Sequence, residues 1–335
     1  MSSLRCVVIV DGLLSSSPAA TNRPMPANPP TEQNGLFKGL AIMAFAMMIL
    51  PCMDGIAKYL STFQAMSPGQ VTFYRFFFQL VLTVPLLLTV VGAGAFRAKR
   101  PWMNLLRGAL HAAATLLFFT AIKYMPLADV FAIYFVEPFM LTAMSAAFLG
   151  EKVGWRRWLA ILIGFGGAMI VIQPSFAIFG VTSLLPVLCA FLFALYLIMN
   201  RTIGEADPPL TMQTISGLGG TIFMAVALVI GNGLGNEDFQ VALPDSGFSL
   251  VLLLVLGALS GYGHLLVLRA FRLAPVSILA PFQYFEIISA TILGFTLFGE
   301  FPTPSKWLGV VIIVGSGLYI IWRERWAQKE AVGVP

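Results

Sequence analysis

The sequence predicts an all-α integral membrane protein of ten transmembrane helices, arranged as two inverted five-helix repeats. Three observations predict it. Hydrophobic residues fill 58% of the 335 positions and charged residues only 10%, a balance that excludes both a soluble globule and a disordered chain. The stretch AIKYMPLADVFAIYFVEPFMLTAMSAAFLGE from Ala121 returns in pattern as AFRLAPVSILAPFQYFEIISATILGFTLFGE from Ala270. Pro126 matches Pro275, Glu137 matches Glu286, Thr142 matches Thr291, Gly150-Glu151 matches Gly299-Glu300 and Trp158 matches Trp307, at one offset (286 − 137 = 149) without a gap. Finally, the basic residues sort in opposite senses around the two copies.

A span needs about 20 apolar residues, and the charged stretches cut the chain into ten runs of about that length. The first, 36 to 57, has Lys38 near its start, stops before Lys58 and carries Asp54. The second, 68 to 92, follows SPGQ and contains Arg75 and Gln79. The third, 103 to 123, runs from the cluster Arg97, Lys99, Arg100 to Lys123, and the fourth, 127 to 149, ends on Gly150-Glu151 with Glu137-Pro138 near its middle. The fifth, 156 to 173, is rich in glycine and follows Lys152, Arg156 and Arg157. The sixth, 179 to 200, stops before Arg201. The seventh, 209 to 231, leads into the acidic loop around 231 to 246, after which the eighth, 247 to 270, ends at Arg269 and Arg272. The ninth, 275 to 298, repeats the fourth and ends on Gly299-Glu300, and the tenth, 304 to 322, ends before Arg323 and Arg325. Residues 36–173 form the first repeat and 179–322 the second, flanked by a Ser-, Pro- and Asn-rich tail, 1–35, expected to be disordered, and a short tail, 323–335.

The net charge of +5 would point a soluble protein toward nucleic acid, but here the basic residues lie at span ends and set topology. With both termini in the cytoplasm, that side receives Arg5, Arg23, Lys38, Arg97, Lys99, Arg100, Arg107, Lys152, Arg156, Arg157, Arg201, Arg269, Arg272, Arg323, Arg325 and Lys329. The outside keeps Lys58, Lys123 and Lys306, and its loop around 231 to 246 has Glu237, Asp238 and Asp245 with no base. Five spans per repeat force the second copy into the bilayer upside down. The charges agree: the loop after Gly150-Glu151 carries three bases and its counterpart after Gly299-Glu300 only Lys306, whereas Lys123 stands alone opposite Arg269 and Arg272. One motif has been edited in opposite directions, as inverted repeats require.

FLGEKVGWRRWLAILIGFGGAMIVI, echoed by LFGEFPTPSKWLGVVIIVGSGLYII, together with SPGQVTFYRF at the second span, resembles the EamA branch of the drug/metabolite transporter superfamily. The likeness covers about residues 36 to 322. It implies ten helices in two inverted repeats, a central cavity, alternating access without ATP and a bacterial-type inner membrane location. The substrate it implies is a small organic metabolite, since relatives move amino acids, vitamins, nucleoside-type compounds, metal-chelating metabolites or toxic compounds.

Glu137 and Glu286 lie about eleven residues into their spans, near the midplane at about 1.5 Å per residue. A charged group there costs on the order of 2.5–3.5 kcal/mol to insert. Two readings stay open: substrate contact or proton carrier, and a packing hydrogen bond between helices. Pro138 and Pro281 are expected to break both helices locally. Tyr134, beside Glu137, and its repeat-equivalent Gln283, beside Glu286, extend one face. His111 and His264 are matched by Ser260 and Thr115, so each copy has one histidine and one hydroxyl at i, i+4; these could bind, shuttle a proton or fasten helices. Arg75, inside the second span with Gln79 at i+4, is a candidate anion contact. Asp54 and Lys58, also i, i+4, form either a gate or an interfacial pair with Lys58 snorkelling outward. The glycines of the fifth and tenth spans read as packing positions.

Cys6, Cys52 and Cys189 give neither a disulfide framework nor a metal spacing. No HExxH, Cys-x-x-Cys or phosphate-cradling glycine loop occurs, and Ser260 with His264 lacks an oxyanion site, so no enzyme and no cofactor are expected. A channel remains the alternative to a carrier. Arg5-CVVIVDGLL has the outline of a cleavable signal, but Asp11 interrupts a very short apolar run. Residues 1 to 24 are expected to be dispensable, with Met25 an alternative start.

Overall fold

The computed structural model describes residues 30–90, 92, 98–149, 155–203, 207–244, 246–273, 282 and 285–332. The tail expected at 1–35 falls almost wholly outside them. All of the regular structure is helical, with no strand among the described residues. In chain order the helices are α1 (Pro30–Phe63), α2 (Pro68–Val90), α3 (Pro101–Tyr124), α4 (Leu127–Tyr134), α5 (Glu137–Leu149), α6 (Trp155–Phe179), α7 (Leu185–Ile203), α8 (Pro209–Gly233), α9 (Gly247–Leu273), α10 (Phe285–Phe298) and α11 (Pro304–Val332). Short 3-10 turns at Gly180–Leu184 and Glu237–Phe239 join α6 to α7 and α8 to α9. α2, α3, α8 and α11 begin on a proline, whose missing N–H falls where the helix has no acceptor for it.

Seven helices among the described residues are long and apolar enough to cross a membrane, and two shorter apolar stretches, Phe285–Phe298 and Pro304–Ser316, accompany them. Two departures from the expected runs have clear causes. The fourth run is two helices, because Pro138 cannot donate to the Tyr134 carbonyl and the chain turns at Phe135 and Val136 before α5 starts on Glu137. The first half of the ninth run, with Pro281, lies mostly outside the described residues. α1 also continues beyond the expected end at 57, so that Lys58 sits on a helix that reaches Phe63.

The helix contacts exchange under the repeat. α2 packs on α8 and α6 on α11, each pairing a helix with its own repeat-mate. α3 packs on α8, and the exchanged pair, α2 with α9, is also in contact. α3 packs on α7, and its counterpart is the cluster of Met43, Ala46, Met47 and Leu50 in α1 with Leu266 and Ala270 in α9. Small residues permit the closest crossings. A Cβ on Gly108 would collide with the Ser216 backbone and one on Gly219 with that of Leu105, which brings α3 against α8. Gly167 meets Ile312 and the Gly309 carbonyl where α6 crosses α11, whereas Gly166 and Gly315 face open space.

Large apolar side chains cover the outside. Leu159, Leu162, Ile163 and Phe165 on α6, Ile222, Val226 and Val229 on α8, and Leu308 and Val311 on α11 are all exposed, a surface that suits lipid and would aggregate in water. Polar groups are gathered inside, where Arg75, Arg107, Gln79, Asp129 and Glu137 are buried.

Candidate functional site

Arg75 is the hub of the interior. It is 1% exposed, and its fork ties three helices: Nε approaches Met53 Sδ of α1 at 3.3 Å, Nη1 donates to Thr115 Oγ1 of α3 at 2.7 Å, and Nη2 donates to His111 Nε2 of α3 at 3.3 Å. An arginine only donates, so Nε2 is the accepting nitrogen of that imidazole. The guanidinium lies over the Phe76 ring, 4.6 Å from its centroid. Thr115 is held in turn by the His111 carbonyl one turn back, at 2.8 Å.

The repeat brings the second histidine to the same place. The rings of His111 and His264 are 5.1 Å apart, and His111 stacks on Tyr196 of α7 at 4.7 Å. His264 donates from Nδ1 to the Ser260 carbonyl at 2.8 Å, while Ser260 Oγ donates to Gln79 Oε1 at 2.9 Å, fastening α9 to α2. Arg107, counted among the cytoplasmic bases, is 1% exposed, donating from Nη2 to the Met212 carbonyl at 2.6 Å and lying over the Tyr196 ring.

The acids line the adjoining space. Asp54 of α1 is close enough to Arg75 to interact through charge. Tyr134, on the last turn of α4, feels the charges of Glu137, Glu286 and Asp54, and Glu286 feels those of Asp54 and Glu137. Glu137 is buried, and its Oε1 has no hydrogen-bond partner among the described residues. The Tyr134 ring meets Phe118 at 5.7 Å and Phe193 at 5.9 Å, and Phe193 meets Tyr196 at 5.2 Å. Thus Asp54, Arg75, His111, Tyr134, Glu137, His264 and Glu286 converge on one interior region, joined by Tyr196 and Phe193, which the sequence did not single out. Gln283 lies outside the described residues.

Lys58 does not belong to this group. Its ammonium does not turn back to Asp54 and does not reach outward. It donates to Glu300 Oε1 at 2.5 Å and to the Met125 carbonyl at 2.8 Å, because the end of α1 is buried against the loop that follows α10. That loop carries the second copy of the Gly-Glu motif, whereas Gly150-Glu151 lies outside the described residues. Gly299 has φ 68° and closes α10 with its N–H on the Phe295 carbonyl at 3.0 Å, a left-handed cap that glycine adopts without a Cβ clash. Glu300 is thereby turned toward the start of α4, where Oε2 accepts the Leu127 N–H at 3.0 Å. Beside it Lys306, at the start of α11, is paired with Asp129 of α4. Four charges from the two repeats therefore close one end of the bundle. At the same end Lys123 pairs with Asp238 at 2.7 Å and Tyr124 donates to the same carboxylate at 2.8 Å. All three lysines that charge sorting assigns to the outside have an acidic partner there.

The model of the EamA-like transporter family matches residues 37–173 and 180–322. The chain is 28% identical to an S-adenosylmethionine uptake transporter of Rickettsia felis, over 83% of this chain and 90% of that protein. It is 29% identical to a riboflavin transporter of Vibrio cholerae, over 89% and 96%, and 27% identical to a pseudopaline exporter of Pseudomonas aeruginosa, over 83% and 94%. A solved crystal structure shares the fold at a TM-score of 0.59 and 19% identity, covering 83% of this chain and 95% of that one.

Proposed function

The chain belongs to the EamA-like transporter family and is a membrane transporter of small metabolites, and from that premise we propose that it is a secondary carrier working by alternating access. The observation that carries this reading is the interior cluster of Arg75, His111, Tyr134, Glu137, His264 and Glu286, enclosed by helices of both repeats in an otherwise apolar bundle. Ionisable groups at that depth are expensive unless they serve a substrate or ion pathway. Ten spans in two inverted repeats, with both termini in the cytoplasm of a bacterial-type inner membrane, account for the charge sorting. In that orientation the Lys58–Glu300 and Lys306–Asp129 cluster faces outward and forms the closed external barrier. The substrate is a small organic metabolite bound among the central residues, and the carboxylates supply a route for proton coupling. Relatives named for S-adenosylmethionine, riboflavin and pseudopaline support organic metabolites as the cargo.

Topology is tested by reporter fusions. Fusions at residues 100 and 154 and at the C-terminus are expected to report cytoplasm, and one at residue 238 the outside; a cytoplasmic signal at 238 rules out ten spans with the N-terminus inside.

Transport is tested in reconstituted vesicles. Glu137→Gln and Glu286→Gln keep size and hydrogen bonding while removing titration, so both variants are expected to insert normally. Glu137 follows a helix break beside Tyr134, and Glu286 is the second residue of α10, so they are expected to differ. At least one should change the uptake rate or its pH profile. Wild-type rates and profiles in both would make the carboxylates packing residues.

A further inference from the structure

The connection between α8 and α9, residues 234–246, is longer than its counterpart 91–100 in the first repeat, and it lies against the ends of two helices of that repeat. Asn236 Oδ1 accepts the Asp238 N–H at 2.9 Å and shapes the short 3-10 turn. The Phe239 ring that follows is seated between two glycines. A Cβ on Gly231 of α8 would collide with that ring, and one on Gly69 of α2 would stand 2.8 Å from the Asp238 carbonyl oxygen and 3.1 Å from the ring. The SPGQ segment at the start of α2 is the dock. Ser67 Oγ accepts the Gln70 N–H at 3.1 Å, as an N-cap does, and donates to the Gln240 carbonyl at 2.7 Å. Gln70, buried beside it, answers both backbone groups of Ala242: its amide donates to the Ala242 carbonyl and accepts the Ala242 N–H at 3.3 Å.

Asp238 reaches the end of α3, where Oδ1 accepts from Lys123 Nζ at 2.7 Å and from the Tyr124 hydroxyl at 2.8 Å. The next residue belongs to the closing cluster. The Met125 carbonyl accepts from Lys58 Nζ at 2.8 Å, and the Leu127 N–H donates to Glu300 Oε2 at 3.0 Å. Because α3 ends at Tyr124, the Met125 carbonyl lies beyond the helix and its direction depends on what holds the chain around it. The stretch 123–127 is thus held on one side by the loop and on the other by Lys58 and Glu300.

We propose that this loop is an external strap and that Asp238 is a positioning residue for the barrier: through Lys123 and Tyr124 it fixes the end of α3 so that Lys58 reaches the Met125 carbonyl and Glu300 together. The inference rests on the reading of this end as the external barrier, and adds to it a part outside both the barrier charges and the central residues. Releasing the strap shifts the protein toward its outward-open state. The shift is smaller than that caused by losing Lys58, because the Lys123–Asp238 pair keeps about a fifth of its side-chain surface in contact with solvent and such pairs contribute modestly.

The test uses the full-length protein in spheroplasts, with Cys6 and Cys52 changed to serine and every variant matched for folded amount by size-exclusion chromatography. The readout is the rate at which an impermeant maleimide added outside labels Cys189, which is buried in α7. Asp238→Asn is expected to raise that rate about threefold, the scale of one partly exposed ion pair, and Asp238→Glu, which keeps the charge, to stay near the parent. Gly69→Ala leaves every charge in place but pushes the Asp238 backbone away, and is expected to act in the same direction as Asp238→Asn. The decisive measurement combines Asp238→Asn with Lys58→Met. A residue that acts through Lys58 adds nothing once Lys58 is gone, so the double variant is expected to label at the rate of Lys58→Met alone. Multiplied rates would make the strap a fastening independent of the barrier and would overturn the inference. So would parent rates in both Asp238→Asn and Gly69→Ala beside faster labelling in Lys58→Met, with the barrier left standing. No acceleration in Lys58→Met would overturn the barrier reading and the inference with it.

Discussion

Arg75→Ala is expected to abolish measurable uptake. Its removal deprives the buried Asp54 of the arginine charge that acts on it, leaving that carboxylate without compensation in the interior. It also releases Met53, Thr115 and His111 at once, so α1, α2 and α3 lose their common tie. Arg75→Lys should do little better, because a single ammonium cannot reach three partners in the fixed directions of a guanidinium. Two effects are separated by measuring folded yield beside uptake. The double variant Arg75→Met with Asp54→Asn removes the uncompensated charge and is expected to recover thermal stability relative to Arg75→Ala while remaining inactive. Wild-type uptake in Arg75→Ala would remove the arginine from the working site.

The second large effect concerns the end of the bundle closed by Lys58, Glu300, Asp129 and Lys306. Lys58→Met takes the donor away from Glu300 and from the Met125 carbonyl, and is expected to favour the state in which the interior opens outward. Cys189 offers a native reporter. It is buried in α7 and lies within reach of the charges of Asp54, Glu137 and Arg75. In a background with Cys6 and Cys52 changed to serine, a membrane-impermeant maleimide added outside should label Cys189 about tenfold faster in Lys58→Met than in the parent, since the closed state has lost a buried charge pair. Exchanging the charges, Lys58→Glu with Glu300→Lys, should bring labelling back toward the parent rate. Equal labelling in all three would show that the cluster fastens helices without controlling access.

The all-helical, two-repeat architecture was legible because lipid imposes a strong rule of apolar length and because duplication prints each feature twice. The charged residues inside spans were legible for the same reason: Glu137, Glu286 and Arg75 stand out against an apolar background. What each of them touches was not. Lys58 meets Glu300 across 242 residues and Lys306 meets Asp129 across 177, and a local i, i+4 rule pointed Lys58 at Asp54 instead. What Arg107 touches was hidden for a different reason. A base near a span end is expected to face water, whereas Arg107 is buried and donates to the Met212 carbonyl of α8. Glu300 was visible as half of a repeated motif, but only the left-handed turn at Gly299 reveals where it is sent. The position of the break in the fourth run followed from Pro138; the aromatic wall of Phe193 and Tyr196 had no signal in a chain with 28 phenylalanines.

The closing cluster contains two ammonium groups and two carboxylates, so their charges cancel. Pulling them apart carries no net charge through the bilayer, and membrane voltage, worth about 2.3 kcal/mol per elementary charge per 100 mV, has little to act on there. Dissolved ions do, because they can solvate each separated group. In the orientation proposed above, opening at that end would be uncoupled from the cell's electrical state and would depend on the ionic strength of the medium outside.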